Sequence, residues 1–229
     1  HTELDFIVNV LFEDKKIEKK IFKKINYSKL TEIASSHMIL PSLYFNLEQK
    51  NYLSKIPIDF KTYLNEIFTL NKERNIRLMG EVQELTNFLN NNKINHIYIK
   101  GCASIFSNVY SDIGERMITD IDFFYYNTKS NVLSEVLELN EYYVVSEFSF
   151  FKKHLNRRVN KKKEFSIEPH FKILDYNEKL INLKKLIKTK MKTNGVNVPN
   201  YDYQLLNSIY NHQINDRGFI KLHVNLRSM

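Results

Sequence analysis

The sequence predicts an α+β fold, in which a mixed β-sheet core lies between a helical N-terminal region and a helical C-terminal region. Apolar residues recur every three or four positions through residues 1–90, which is the period of an amphipathic helix. Residues 91–175 instead contain short β-rich and aromatic runs separated by turn residues. Helical spacing returns over residues 176–229. We therefore expect three regions with these bounds.

The composition limits the classes of protein to which this chain can belong. The chain has 229 residues, enough for one sizeable core or two small domains, and it is 43% hydrophobic and 26% charged, as globular proteins are. Its single cysteine, Cys102, excludes an internal disulfide and a cysteine-based zinc cluster, and we expect it to be a small buried residue. No apolar run approaches the roughly 18 residues of a membrane span, and no signal peptide is recognisable. These features predict a soluble cytoplasmic protein without a membrane partner.

The net charge of +8 favours an anionic partner such as a nucleotide or RNA. Two segments concentrate this charge. Lysine doublets repeat between residues 15 and 24, and seven lysines and arginines lie between Lys152 and Lys163. We favour a solvated helix face for the first segment and a solvated hairpin turn for the second. Contact with RNA is the alternative for both segments.

The N-terminal region is predicted to contain several helices. Apolar pairs alternate with lysine pairs over residues 3–25, which indicates an amphipathic helix. Ser28 is the expected N-cap of the next helix, and Pro41 marks a break or the first turn of another. The longest helical pattern covers residues 59–90 and ends at Asn90–Asn92.

The stretch Ile94–Tyr126 is predicted to form strand, turn, helix, loop and strand in that order. The apolar run His96–Ile99 ends at the pair Lys100-Gly101, which we expect to form a turn. A short helix follows over Ser104–Tyr110. After a polar loop, the run Asp120–Tyr126 has the composition of a second strand.

The remaining elements follow from the same patterns. Ser130 begins a predicted helix that reaches Leu139, and Tyr142–Phe151 is a β-rich run. Phe165–Ile173 is predicted to be a strand, with Glu168 and His170 on one face. Further along the chain, we expect a turn at Asn194-Gly195 and, after Pro199, a helix through Tyr210 in which the nearby His212 packs or caps.

Asp120 and Asp122 are the candidate metal ligands. Residues two apart on a strand share a face, so both carboxylates point to one side. Two adjacent carboxylates repel unless a cation lies between them, and oxygen ligands suit Mg²⁺. A solvated strand end is the alternative for an isolated Asp-x-Asp. The preceding glycine, together with Lys100 and Arg116 as phosphate partners on either side, favours the metal site.

These residues carry a resemblance to a known family. Lys100-Gly101, Tyr110, Arg116 and Asp120-Ile121-Asp122 together resemble the uncharacterised nucleotidyltransferase family of the DNA polymerase β superfamily. The resemblance implies a nucleotidyltransferase-type sheet. It also implies transfer of a nucleoside monophosphate from a nucleoside triphosphate to an acceptor hydroxyl, with Mg²⁺ or Mn²⁺ as cofactor. The positive charge favours RNA or tRNA as acceptor, and protein or a small molecule stays open. The alternative is a catalytically silent module that binds a nucleotide or RNA.

The resemblance also implies a third carboxylate on a neighbouring strand. Glu168 and His170 match the acid and the histidine of the family pattern, whereas Pro169 replaces its apolar residue. Proline cannot donate to a strand ladder, so we expect Pro169 at a sheet edge or a bulge. For His170 two interpretations stay open, a half-buried structural histidine and a residue that contacts phosphate or orients a carboxylate.

The resemblance assigns a role to each candidate. Asp120, Asp122 and Glu168 would be the catalytic and metal-binding residues, and Glu168 would also help to deprotonate the acceptor. The implied nucleotide-binding residues are Lys100, Gly101, Ser104, Arg116 and His170.

Overall fold

A computed structural model describes residues 2–145, 153–174 and 180–211. Within these ranges we number nine α-helices and seven strands in chain order. The helices are α1 Thr2–Phe12, α2 Lys19–Phe22, α3 Tyr27–Ser36, α4 Leu40–Gln49, α5 Ile58–Asn91, α6 Lys100–Phe106, α7 Ser130–Leu139, α8 Leu183–Lys188 and α9 Tyr201–Tyr210. The strands are β1 Asn95–Tyr98, β2 Asp120–Tyr126, β3 Tyr143–Val144, β4 Arg158–Val159, β5 Ser166–His170, β6 Met191–Thr193 and β7 Val196–Val198. None of the described helices is both long enough and apolar enough to cross a membrane.

The predicted α+β fold with a mixed sheet is confirmed. Five strands form one sheet in the order β1-β2-β5-β4-β3. The pair β2–β5 is parallel, and the other neighbours are antiparallel. The strands β6 and β7 form a separate antiparallel hairpin. Parallel pairing of β2 with β5 is the feature that positions the candidate site, as shown below.

The chain divides into two compact units. Unit 1 contains the residues up to Asn75 together with Tyr110–Met117, and unit 2 contains Ile76–Val109 and the described residues from Ile118 onward. Helix α5 runs through the boundary. The bounds that the sequence suggests at residues 90 and 175 stay a prediction.

Unit 1 is a helical unit with its own apolar core, and two predictions in it are wrong. Helix α1 ends at Phe12, so residues 3–25 do not form one helix, because the buried Ile17 turns its backbone N–H to the hydroxyl of Tyr52 at 3.0 Å. Helix α3 is capped by Asn26 rather than Ser28. The side chain of Asn26 accepts a hydrogen bond from the N–H of Lys29, as an N-cap does.

The segment Tyr110–Met117 of unit 1 is held by two buried asparagines one turn apart on α5. The Nδ2 of Asn71 donates to the carbonyls of Gly114 and Arg116, at 2.7 and 3.0 Å. The Nδ2 of Asn75 donates to the carbonyls of Ile113 and Arg116, at 2.6 and 2.7 Å. Buried carbonyls need such donors, so the asparagine pair fixes the path of this loop.

In unit 2, the second half of α5 packs against β1. The hydroxyls of Tyr98 and Thr86 lie 2.9 Å apart, and Tyr98 donates to the carbonyl of Val82 at 3.1 Å. On β2, side chains two residues apart share a face, so Phe124 lies on the same face as Asp122. Phe124 belongs to a buried cluster with Ile97, Ile99, Ile173, Leu174, Ile181, Leu186 and Tyr203.

The chain turns at Lys100, and α6 begins there rather than at Ser104 as predicted. Lys100 has a φ of 54°, in the left-handed region, whereas Gly101 does not have positive φ. Gly101 is buried in the first turn of the helix, and an added Cβ would lie 3.1 Å from Cγ1 and Cγ2 of Ile118. A side chain at this position would therefore require Ile118 to move by a few tenths of an ångström.

The sequence predicts a helical C-terminal region, but this region also contains a β-hairpin. The hairpin β6–β7 lies between α8 and α9, with strands of only three residues, too short to show a period of two. The predicted turn is confirmed, since Asn194 and Gly195 have φ of 49° and 84° and join the two strands. The expected helix over Ser130–Leu139 is also confirmed. The β-rich run includes β3, while residues 146–152 and His212 lie outside the described residues.

Candidate active site

The register of the sheet brings Asp122 and Glu168 side by side. In the parallel pair β2–β5, Asp122 is opposite Glu168 and Phe124 is opposite His170. Neighbouring strands lie about 4.8 Å apart, and paired residues point to the same face. Carboxylates from two distant parts of the sequence therefore meet on one face of the sheet.

Pro169 lies in a strand with neighbours on both sides, so it is not at a sheet edge. The antiparallel register beside it shifts by one residue, from Arg158 opposite Ile167 to His154 opposite His170, which is the expected bulge. Its carbonyl accepts a hydrogen bond from the N–H of Leu155 at 2.8 Å, so its backbone faces away from β2. On that side the ladder between β4 and β5 contains a single pair, Arg158 opposite Ile167. The missing donor of Pro169 therefore costs no hydrogen bond to β2, and Glu168 keeps its register.

Lys100 supplies a positive charge to the carboxylates. Its Nζ lies 2.6 Å from Oδ1 of Asp122 and 4.0 Å from Oε2 of Glu168. Burial lowers the pKa of Lys100, but the carboxylates of Asp122, Glu168 and Asp120 outweigh burial and raise it above its ordinary value. Lys100 is therefore charged at neutral pH.

Arg157 joins two of the three acids. Its Nε and Nη2 lie 2.9 and 2.7 Å from Oε1 of Glu168, and Nη2 also lies 2.9 Å from Oδ2 of Asp120. The solvated hairpin expected for the basic stretch is wrong for Lys153 and Arg158, which are buried. Lys161 and Lys162 are exposed at a turn, as expected, and Arg157 is half exposed. Lys152 lies outside the described residues. The sequence offers no signal for Arg157, because only the approach of this segment to β5 brings it to the acids.

His170 is fully buried beneath the acids. Its Nε2 lies 2.8 Å from Oδ1 of Asp122 and 3.9 Å from Oε2 of Glu168. Burial and the nearby Lys100 lower the pKa of His170 to about 4, against the opposite effect of Asp122. The ring is then neutral at pH 7, and Nε2–H donates to Asp122. This contact is the one expected if His170 orients a carboxylate, and contact with phosphate stays a prediction.

The two aspartates have opposite electrostatic environments. Burial alone would raise the pKa of Asp122, but Lys100 and the hydrogen bond with His170 outweigh it and hold the pKa well below its usual range. Burial and the neighbouring carboxylates of Asp122 and Glu168 raise the pKa of Asp120 to about 6. The negative charge of Asp120 is therefore less favoured than that of Asp122, and an added cation would relieve the repulsion.

The donor set fits a divalent cation. One potential ligand atom from each of Asp122, Glu168 and His170 lies within 4.8 Å of the others. Asp120 is linked to the same cluster through Arg157. Carboxylate oxygens are the ligands that Mg²⁺ prefers, and Mn²⁺ accepts the same oxygen donors.

The other candidate residues are placed as follows. Ser104 is buried in α6, and its hydroxyl donates to the carbonyl of Lys100 at 2.8 Å. Gly101 lies in the same helix, and Arg116 lies in the loop of unit 1. Their roles toward a nucleotide stay predictions. Cys102 is buried, as expected, and burial together with Asp122 and Asp120 raises the pKa of its thiol, so the thiol is not an activated nucleophile.

Comparison with known proteins gives one match. Residues 23–228 match the model of a family described as uncharacterised nucleotidyltransferase. The matched range includes every candidate site residue. No curated protein and no solved structure matches the chain in the corresponding comparisons.

Proposed function

The chain belongs to the uncharacterised nucleotidyltransferase family, and on that premise we propose that it transfers a nucleoside monophosphate from a nucleoside triphosphate to a hydroxyl group of an acceptor and releases pyrophosphate. The observation that carries the proposal is the meeting of three carboxylates with a partly buried lysine. Asp122 and Glu168 are paired across parallel strands, Asp120 is two residues from Asp122, and Lys100 contacts both strands' acids. Such a cluster of carboxylates suits a divalent ion that supports phosphoryl transfer.

Asp120, Asp122 and Glu168 would hold the divalent ion, Mg²⁺ or Mn²⁺. When bound, the ion would neutralise the triphosphate and the charge that develops on it during transfer. The hydrogen bond of His170 to Asp122 fixes the orientation of that carboxylate, as the partners of metal ligands commonly do. The positioning is thereby built into β2 and β5 rather than into a loop.

The side chains of the site divide the remaining tasks. Lys100 keeps its positive charge, because its pKa is raised, and this charge favours the anionic phosphoryl group. Glu168 is the carboxylate that we assign to the acceptor, from whose hydroxyl it takes a proton. Gly101, Ser104 and Arg116 remain our candidates for contact with the nucleotide.

We favour RNA or tRNA as the acceptor on the basis of the net charge of +8. Protein and small hydroxylated molecules are the other acceptor classes. A cytoplasmic location, where nucleoside triphosphates and RNA occur together, accords with this choice. A catalytically silent nucleotide-binding module is the alternative function.

Transfer of label from each α-labelled nucleoside triphosphate tests the proposal. The chain is incubated with Mg²⁺ or Mn²⁺ and with total RNA or a cell lysate. We expect label in one acceptor class, and we expect Asp122→Asn to lower the rate about a hundredfold or more, because an anionic ligand of the divalent ion is lost. Asp59→Asn is the matched control, since Asp59 is an exposed aspartate at the start of α5.

The outcomes separate the two functions. Label that appears in an acceptor and disappears with Asp122→Asn supports transfer. Nucleotide binding without transfer to any acceptor favours the silent module. Transfer that survives Asp122→Asn at the parental rate would show that the site is wrongly assigned.

A further inference from the structure

Arg157 occupies oxygens that the proposed metal would need. Its guanidinium contacts Glu168 through two nitrogens and Asp120 through one, at 2.7 to 2.9 Å. These distances are those of charge-assisted hydrogen bonds. A carboxylate oxygen that accepts a hydrogen bond from a guanidinium is less available to a metal ion. Arg157 and the proposed metal would therefore bind the same oxygens.

The charges explain why an arginine is held there. Asp120, Asp122 and Glu168 form one cluster, and Lys100 is directed mainly at Asp122, with its Nζ 2.6 Å from that carboxylate and 4.0 Å from Glu168. Among the described residues, Arg157 makes the closest cationic contacts with Asp120 and Glu168. Without Arg157, the negative charges of Asp120 on β2 and Glu168 on β5 would repel each other, with little compensation by a positive charge.

The side chains of Arg157 and Lys100 differ in how far they are exposed to solvent. The side chain of Arg157 is 50% exposed, whereas that of Lys100 is 27% exposed and begins at the rigid first turn of α6. An arginine side chain at such a surface can leave its partners for water without opening the core. Lys100 has less freedom to do so.

We propose that Arg157 is a built-in counter-cation that competes with the divalent metal for Asp120 and Glu168. This inference rests on the proposed function, because it presupposes that these acids bind metal. It gives the basic stretch 152–163 a task at the site itself, in addition to any attraction of an anionic acceptor. It also predicts that the metal alone binds more weakly than three carboxylates would allow.

Titration with Mn²⁺ in the absence of nucleotide tests the competition. Free Mn²⁺ is measured by electron paramagnetic resonance, using the full chain. We expect Arg157→Gln to bind Mn²⁺ about tenfold more tightly than the parent, a gain kept modest by the partial exposure of the ion pairs. Arg157→Lys keeps the charge, and its affinity should stay within about threefold of the parent. Circular dichroism verifies that each variant is folded.

Arg77→Gln is the matched control. Arg77 is a similarly exposed arginine, 55% exposed, paired with Glu164 at 2.7 Å. Its replacement should leave Mn²⁺ affinity unchanged. Asp122→Asn should weaken binding in every background.

Each outcome decides between the ideas. If the parent binds Mn²⁺ and Arg157→Gln binds it equally or more weakly, the competition is refuted while the metal site stands. An equal gain in Arg157→Lys and Arg157→Gln also refutes it, since charge is then not the cause. If neither the parent nor Arg157→Gln binds Mn²⁺, the competition and the metal site fail together.

Discussion

Lys100 combines an unusual backbone conformation with a charge at the candidate site. Its φ of 54° is unfavourable for a residue with a side chain, at a cost on the order of 1–3 kcal/mol. The same turn directs Nζ to within 2.6 Å of Asp122. A glycine would relieve the backbone but remove the charge that lowers the pKa of Asp122. The turn therefore places a cation beside the acids.

A second residue makes the stability of the protein depend on pH. His96 is 1% exposed on β1, and burial lowers its pKa below the ordinary value, against a weaker effect of the carbonyl of Ile94. Between its folded pKa and its unfolded pKa of about 6.5, the unfolded state binds more protons than the folded state. Stability is therefore present above about pH 6.5 and is lost as the pH falls through that window.

We expect His96→Gln to lose less stability than the parent between pH 7 and pH 5, because the side chain no longer titrates. The free energy of unfolding in urea, measured at half-unit steps of pH, checks this. The comparison concerns the slope and not the absolute stability, which the substitution also changes. Parallel curves for the two proteins would contradict the prediction.

At the scale of elements, α5 serves both units. In unit 1 its asparagines Asn71 and Asn75 fix the loop that carries Arg116. In unit 2 its buried residues pack behind the sheet, and Glu81 accepts from the N–H groups of Glu164 and Phe165, directly before β5. Within unit 1 the first part of α5 thus positions the loop that carries Arg116, and within unit 2 its later part positions the start of β5.

Two glycines give a matched pair of substitutions. Gly80 is in the exposed interior of α5, and an added Cβ would meet nothing within 4 Å, so Gly80→Ala should stabilise the protein by about 0.5–1 kcal/mol. In the loop of unit 1, a Cβ on Gly114 would lie 2.9 Å from the ring of Phe68. Gly114→Ala should therefore destabilise by about 1–3 kcal/mol.

Thermal and urea unfolding of the two variants check the pair. Opposite signs are expected. A Gly114→Ala variant as stable as the parent would mean that the ring of Phe68 can move aside without loss of stability. The close packing at Gly114 would then not contribute to the free energy of unfolding.

At the scale of the whole molecule, ligands of the site should stabilise the fold. A ligand that binds only the folded state stabilises it by about 2.7 kcal/mol at a concentration one hundred times its Kd. For a chain of this size that corresponds to a rise in Tm of very roughly 5–10 °C. We expect such a rise for the parent with Mg²⁺ and its nucleoside triphosphate, and its loss on addition of EDTA. Asp122→Asn should show no rise, and an equal rise in that variant would place the ligand elsewhere.

Sequence reasoning succeeded where local pattern determines the structure. The long helix α5 has a clear period, the strand at Asp120–Tyr126 has a β-rich composition, and the turn at Asn194-Gly195 has a specific chemistry. It failed where tertiary contacts decide. Asn26 rather than Ser28 caps α3, and the short strands β6 and β7 have no visible period.

The candidate site shows the same division. Glu168 could be placed beside the aspartates because the resemblance supplies a strand partner that no periodicity reveals. Arg157 could not, because its contacts depend on the path of the segment before β4. A run of basic residues looks alike in the sequence whether its side chains face water or carboxylates.

The register of β2 against β5 has a consequence for how this chain can change. A shift of one residue along β5 would turn Glu168 to the opposite face of the sheet, into the layer covered by α5, and would empty the site of its third acid. The length of the chain between the two strands carries no such constraint. Insertions there alter only the connection. A single residue inserted within either strand would instead move the charged side chains that follow it to the other face of the sheet. The positions of the acids therefore depend on the register between two short strands, which are paired over five residues.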